Sequence, residues 1–145
     1  RGLGDVYKRQ VYYSPMQMAA DLPKHYSKHM DAFQFIKNVP VDWSERKILN
    51  SEFREYVSMA RKDKSSENWY VGGITNENER DLKIDFSFLE SGKEYSMKMY
   101  LDTQNTHWKE NPMEYQITER EVSSNDNIDI YLAPGGGFAI EIIAK

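Results

Sequence analysis

From Phe53 to the end of the chain, apolar and polar residues alternate with a period of two. Such alternation indicates strands that bury one face, because successive side chains point to opposite sides of a sheet. Seven short strands separated by polar or glycine-containing turns favour an antiparallel β-sandwich, so the predicted fold class is mainly β. The predicted strands are 56–60, 69–74, 82–88, 95–101, 115–122, 128–132 and 138–142.

The first third of the chain has a different pattern. Residues 11–21 read VYYSPMQMAAD and are apolar on nearly all sides, as expected of a segment buried within a larger protein. A short helix is predicted over Ala32–Asn38, with Asp31 as its cap and Pro40 as its stop. Residues 41–50 are interpreted as a connector between this helix and the first strand.

The first ten residues, RGLGDVYKRQ, show no apolar periodicity that continues into the next segment. They resemble a translated sequencing-adapter tail, so residues 1–10 are interpreted as an artefactual or disordered leader and excluded from the functional interpretation. The chain is then expected to enter its parent protein in mid-sequence near Val11.

The composition argues against several classes of function. The net charge is −4, the pI is about 5.4 and no basic stripe is present, so no nucleic-acid partner is expected. Cysteine is absent, which excludes disulfides and thiolate chemistry. No apolar run approaches the ~20 residues that a membrane-spanning helix requires, so no membrane partner is expected.

Two short motifs resemble ligand sites. His25 and His29 are four residues apart and would share a helix face, but zinc needs a third protein ligand and His107 is remote in sequence. Gly135–Gly137 precede an alternating apolar stretch instead of the helix N-terminus that follows the glycines of a phosphate loop. The glycines therefore predict a strand-to-strand turn with positive φ, and no metal site is predicted from either motif.

Paired carboxylates could catalyse glycoside hydrolysis, which uses two acidic groups across the scissile bond. The formal candidates are Asp42 with Glu45 and Glu119 with Glu121. Nothing near either pair indicates a desolvated cleft that would shift a pKa. We therefore interpret them as solvated positions and predict no catalytic residue in this chain.

Trp43, Trp69 and Trp108 allow two interpretations. Exposed rings could stack on sugars, whereas a tryptophan in a small β domain more often fills the core or an interface. An autonomous carbohydrate-binding module would require two or more exposed, coplanar aromatic rings with polar groups beside them.

Five sequence blocks together resemble the C-terminal end of glycoside hydrolase family 97, over residues 11–145. They are YYSPMQMAADLPKHY at 12–26, FQFIKNVPVDW at 33–43, WYVGGITNENER at 69–80, YLDTQNTHWKENPMEY at 100–115 and APGGGFAIEI at 133–142. Each block is modestly specific alone, and their common order makes the resemblance specific.

The resemblance implies a large enzyme with an N-terminal β-sandwich, a central (β/α)8 barrel and a C-terminal all-β domain. On this resemblance, residues 11–50 are a short helical remnant of the barrel with its linker, and residues 51–145 form the C-terminal domain associated with oligomerisation. Members are exo-acting α-glucosidases or α-galactosidases with a calcium ion beside the bound sugar. A periplasmic or secreted location follows from the same resemblance.

The family's catalytic acid, its base or nucleophile and most calcium ligands lie upstream of Val11. The resemblance therefore implies an inactive fragment that binds no calcium, braces the rest of the parent chain and takes part in a homo-oligomer. Asp21 is the one candidate for a substrate-pocket residue, because barrel strands carry functional groups at their C-terminal ends. After Asp42-Trp43, this chain has Ser44-Glu45-Arg46, where an acidic residue followed by threonine is usual in the family. The alternative to a non-catalytic part of a glycosidase is an autonomous carbohydrate-binding module.

Overall fold

The strands of this protein form two antiparallel sheets of very different size. The computed structural model describes residues 11–12 and 22–145. Within these residues, the strands are β1 (Trp43–Glu52), β2 (Tyr56–Asp63), β3 (Trp69–Thr75), β4 (Arg80–Asp85), β5 (Tyr95–Leu101), β6 (Gln116–Val122), β7 (Asn127–Leu132) and β8 (Gly137–Ala144). The larger sheet has the order β1-β2-β3-β8-β5-β6, and β4 pairs with β7 in the smaller one. The prediction of a mainly β, antiparallel sandwich is confirmed.

The main core lies between the two sheets and follows from the alternation. On β4, Leu82 and Ile84 are buried while Lys83 and Asp85 are exposed. The inner face of the larger sheet contributes the alternate residues of β5 and β8, which are Tyr95, Met97, Met99, Phe138, Ile140 and Ile142. Burial of these side chains drives the packing, since each fully buried large apolar side chain contributes about 1.5–3 kcal/mol.

A helical segment covers part of the outer face of the larger sheet. It consists of α1 (Pro23–Tyr26), a 3₁₀ turn (Ser27–His29) and α2 (Met30–Asn38). Helix α2 begins two residues before the predicted Ala32. Asp31 therefore lies in its first turn instead of capping it, and the Asp31 carboxylate accepts a 2.8 Å hydrogen bond from the Ala32 amide. Among the described helices, none is long and apolar enough to cross a membrane.

The interpretation of residues 41–50 as a connector was wrong, because β1 pairs with β2 from Trp43 onwards. Two features hide this strand. Its register with β2 shifts twice, between Trp43 and Glu45 and between Ile48 and Asn50, which breaks the period of two. In addition, Lys47 is exposed and places its ammonium 5.6 Å from the centre of the Trp69 ring, so a charged residue lies beside the core where an apolar one would be expected.

Two turns account for one sequence prediction that differs from the structure and one that agrees with it. The predicted strand 82–88 ends at Asp85, whose carboxylate accepts a 2.7 Å hydrogen bond from the Ser87 amide and so turns the chain. The turn at Gly135–Gly137 joins β7 to β8 with Gly135 at φ 68°, which confirms the predicted positive-φ turn.

Candidate functional site

The sequence-predicted site residue, Asp21, lies outside the described residues. The two carboxylate pairs lie on the surface. Asp42 pairs with Lys64 at 2.8 Å, and the hydrogen bond from this lysine lowers the pKa of the Asp42 carboxyl. Glu119 pairs with Lys98 at 2.8 Å, and Glu121 pairs with Lys145. Each of these carboxylates is in contact with solvent, and Asp42, Glu119 and Glu121 each have a lysine partner. They are therefore in the environment of surface ion pairs.

The two histidines with metal-ligand spacing, from which no metal site was predicted, have separate environments. His25 lies in α1, whereas the Nδ1 atom of His29 lies 3.3 Å from the Tyr115 hydroxyl. Across the described part of the chain, no group of three or more His, Cys, Asp or Glu residues could hold a metal ion.

The three tryptophans differ in their surroundings. Trp69 is 4% exposed and packs in the core against Phe88, with ring centres 4.9 Å apart. Trp43 is partly buried and packs edge-on against Tyr70 at 5.8 Å. Trp108 is 58% exposed, and the nearest ring is that of His107, stacked at 5.9 Å. One tryptophan of three therefore presents its ring to solvent.

Four turns meet at one end of the larger sheet, and we call this surface the loop end. They are the β1–β2 turn (53–55), the β3–β4 turn (76–79), the β5–β6 loop (102–115) and the β7–β8 turn (133–136). Backbone hydrogen bonds join three of these turns. The Asn76 amide donates to the Glu55 carbonyl at 2.8 Å, and the Gly135 amide donates to the Asn76 carbonyl at 2.7 Å. The loop end is therefore a continuous hydrogen-bonded surface.

The buried carboxylate of Asp102 attaches the fourth segment, the β5–β6 loop, to the loop end. Asp102 is 3% exposed, and its Oδ2 atom accepts hydrogen bonds from the amides of Gly137 at 2.8 Å and Ala133 at 3.2 Å. Burial raises the pKa of Asp102 to about 6, although both amide hydrogen bonds act in the opposite direction. Gly136 permits this approach, because a Cβ atom there would lie 2.0 Å from Oδ2.

The β5–β6 loop is further held by Glu114. Its carboxylate accepts hydrogen bonds from the Thr103 hydroxyl at 2.6 Å and from the side-chain amides of Asn105 and Asn111. These hydrogen bonds lower the pKa of Glu114. The loop carries the exposed Trp108, whose Cβ atom would lie 3.1 Å from a Cβ atom at Gly135. Trp108 is thus presented on an ordered loop that packs on the β7–β8 turn.

The β1–β2 turn presents the most exposed large apolar side chain among the described residues. Phe53 is 82% exposed, and the Arg54 guanidinium lies 5.2 Å from the centre of its ring. Arg54 has a positive φ of 64°, a conformation that a side chain with a Cβ atom adopts at a cost. Beside the turn is a groove of about 550 Å³, whose lining includes Phe53, Val57 and Ile74.

Helix α2 is attached to the outer face of the larger sheet through aromatic side chains. Phe35 has no exposed surface and packs edge-on against Tyr100 at 5.2 Å and Tyr70 at 6.1 Å. At the end of the helix, the Asn38 side-chain amide donates a 3.1 Å hydrogen bond to Glu141. Burial raises the pKa of Glu141, with this hydrogen bond opposing the shift.

Sequence reasoning did not identify Asp102 or the Phe53 turn as functional residues. The signal for Asp102 was its place directly after a predicted strand, in a chain with a glycine triplet that allows close backbone approach. Phe53 carried no such signal, because an apolar residue near the start of a strand is ordinarily expected in the core.

Comparison with known proteins agrees with the observed fold. The model of the family described as "Glycosyl-hydrolase 97 C-terminal, oligomerisation" matches residues 42–143. A retaining alpha-galactosidase of Bacteroides thetaiotaomicron is 34% identical over 132 residues, which are 91% of this chain and 19% of that protein.

Solved structures show the same relationship. A glycoside hydrolase family 97 enzyme from Pseudoalteromonas sp. strain K8, in complex with acarbose, superposes with a TM-score of 0.95 and 38% identity. That match covers 99% of this chain and 23% of the enzyme chain. A beta-arabinopyranosidase structure, 20% identical with a TM-score of 0.73 over 94% of this chain and 20% of its own, shows the fold alone.

The chain spans about a fifth of the length of these relatives. The family match covers well over half of the chain and contains all eight strands except the last residue of β8. The chain therefore belongs to glycoside hydrolase family 97, whose C-terminal oligomerisation domain it contains.

Proposed function

We propose that this chain is the non-catalytic C-terminal part of a calcium-dependent, exo-acting α-glycosidase, in which it braces the catalytic barrel and contributes to a homo-oligomer. The observation that carries the bracing role is the burial of Phe35 of α2 between Tyr70 and Tyr100 of the larger sheet. The domain boundary expected from the sequence puts α2 at the end of the barrel. A helix from the barrel buried on the sandwich would couple the two parts as one rigid unit.

The hydrogen bonds of the same helix support this coupling. The Tyr115 hydroxyl donates a 2.7 Å hydrogen bond to Asp31, at the beginning of α2. The Asn38–Glu141 hydrogen bond holds its other end. Contacts at both ends and in the middle restrict rotation and sliding of the helix, which is what a brace between domains requires.

The substrate class of the parent enzyme rests on its relatives. One relative is named a retaining alpha-galactosidase, and two related structures contain acarbose and panose. These names support an α-linked oligosaccharide as substrate, with either an α-glucoside or an α-galactoside as the cleaved unit. Calcium in the parent and a periplasmic or secreted location belong to the same proposal.

The bracing role can be tested in the full-length enzyme that contains this chain. Phe35→Ala removes the buried contact, whereas Phe33→Ala alters a half-buried ring of the same helix that stacks on Tyr26. We expect Phe35→Ala to lower the temperature at which α-glycosidase activity is lost, and Phe33→Ala to lower it much less. Equal inactivation temperatures for wild type and Phe35→Ala would contradict the bracing role.

The non-catalytic role can be tested on the 145-residue chain itself. We expect no turnover of aryl α-glucosides or aryl α-galactosides in the presence of calcium, while the full-length enzyme hydrolyses one of them. Turnover by the chain alone would refute the proposal.

The alternative of an autonomous carbohydrate-binding module is favoured by a single observation, the exposed Trp108 ring. Burial of Trp69 and packing of Trp43 against Tyr70 remove the other two tryptophans from a shared sugar platform. Titration of the chain with panose, followed by tryptophan fluorescence, decides between the two functions. A saturable change in wild type that disappears in Trp108→Ala would support the module, and no saturable change would support the non-catalytic domain.

A further inference from the structure

The β1–β2 turn and its groove form a small surface with both a projection and a cavity. Phe53 projects from the turn and also forms one wall of the groove, beside Val57 and Ile74. Val57 and Ile74 are cross-strand partners, so their side chains lie next to each other on the outer face of the larger sheet. The groove floor is therefore apolar and formed by strands instead of mobile chain.

The turn that carries Phe53 is held in place from both sides. Arg80 donates to the Glu55 carboxylate at 3.0 Å and to the Asn76 side-chain oxygen at 3.0 Å. The Arg80 guanidinium also lies 4.6 Å from the centre of the Tyr56 ring. With the positive φ of Arg54, these contacts define one conformation of the turn, so little conformational entropy would be lost when Phe53 is covered.

We propose that this surface is the subunit contact of the domain, and that its occupant is the same surface of a second copy of the chain. This inference rests on the proposed function and specifies where the oligomer forms. Around a two-fold axis, Phe53 of each copy packs in the groove of the other. A two-fold interface must be self-complementary, and a projection directly beside a cavity meets that requirement.

Charge and family membership support a second copy as the occupant. Glu52 and Arg54 flank Phe53 on the turn, so two copies in antiparallel orientation can bring opposite charges together at the edge of the contact. The matching family is described as an oligomerisation domain, which indicates self-association of this part of the enzyme. Aromatic side chains that fill a pocket of the partner are also the usual form of an interface hot spot.

The test is sedimentation velocity of the 145-residue chain over a range of concentrations. We expect a monomer–dimer equilibrium in wild type and a dissociation constant raised about tenfold or more in Phe53→Ser, because truncation removes a central aromatic contact. Phe53→Leu, which keeps an apolar side chain, should give an intermediate value. Val41→Ser is the matched control, since Val41 is an exposed apolar residue before the opposite end of β1.

The outcomes separate the proposed surface from the proposed function. A dimer equally stable in wild type and Phe53→Ser would overturn the surface assignment and leave oligomerisation by the domain intact. A wild-type chain that remains monomeric overturns the surface assignment as well. If the full-length enzyme is then also monomeric, the oligomerisation role fails with it. Circular dichroism of Phe53→Ser should match wild type, because Phe53 is 82% exposed and contributes little to the core.

Discussion

The Gly137 amide donates a 2.8 Å hydrogen bond to the buried carboxylate of Asp102, and this bond joins the end of β5 to the start of β8. The same carboxylate oxygen accepts the Ala133 amide from the other side of the glycine turn. One side chain therefore organises the turn by which the chain passes from the smaller sheet to the larger one.

Stability should depend on pH through Asp102. Its pKa is 3.8 in a solvated reference and about 6 in the folded chain, so between these values the folded state binds more protons than the unfolded state. Stability should therefore fall as pH rises from about 4 to about 6, by roughly 3 kcal/mol. Asp102→Asn cannot titrate, and its free energy of unfolding relative to wild type should increase across this interval.

Urea denaturation of both proteins at pH 4 and pH 7 measures this difference. Asp129→Asn is the control, because Asp129 is an exposed aspartate on β7. Parallel pH profiles for wild type and Asp102→Asn would show that Asp102 does not titrate in this range.

Gly136→Ala should destabilise the chain strongly. The added Cβ atom would lie 2.0 Å from Asp102 Oδ2 and 2.9 Å from the Ala133 carbonyl oxygen, so the turn must shift and lose its hydrogen bonds. We expect a loss of about 3 kcal/mol, since steric overlap and unpaired buried groups add. Gly92→Ala, at φ 82° in open space, should cost only about 1–2 kcal/mol from backbone strain. Thermal unfolding of the two variants compares them, and equal losses would contradict the steric explanation.

Phe35→Ala should lower the free energy of unfolding by about 3–5 kcal/mol, because it leaves a cavity between α2 and the sheet. Phe35 has no exposed surface, whereas Phe33 is half-buried, so Phe33→Ala should cost clearly less. Urea denaturation of the 145-residue chain measures both values. A cost for Phe35→Ala below that of Phe33→Ala would indicate that α2 is not held on the sheet in solution.

Tyr115→Phe should weaken the attachment of α2 with little effect on the core. Burial raises the pKa of Asp31, but hydrogen bonds from Tyr115 and from the Ala32 amide outweigh it, so the folded-state pKa is lowered. This interaction stabilises the protein above the unfolded pKa of Asp31 and is lost as pH falls through the folded value. Because Asp31 is exposed, we expect a loss below about 1 kcal/mol at neutral pH.

The measurement for Tyr115→Phe is the chemical-shift titration of the Asp31 carboxyl by NMR. The variant should titrate at a higher pH than wild type, since a hydrogen bond to the charged form is removed. Tyr131→Phe, which removes a hydroxyl bonded to Glu79, is the matched control and should leave the Asp31 titration unchanged. An unchanged Asp31 titration in Tyr115→Phe would contradict the assigned contact.

Seven of the eight strands could be predicted from the sequence, because apolar and polar residues alternate along them or because the strand is short and apolar between turn residues. On β7, Ile128, Ile130 and Leu132 are buried while Asn127 and Asp129 are exposed. β1 was missed because register shifts break its period and because the exposed, charged Lys47 lies over the Trp69 ring. Helix α2 begins two residues before the predicted start and ends at the predicted Asn38, because the first and last residues of a helix depend on local backbone geometry.

Periodicity in the sequence by itself determined the fold class, because the alternation of neighbouring apolar and polar residues shows which strand face is buried. Sequence blocks in their order also indicated the family. Only the tertiary structure decided that β3 and β8 are neighbours, that Asp102 binds the glycine turn and that Phe53 lies outside the core. These features depend on contacts between residues far apart in the chain, whose distances no local pattern records.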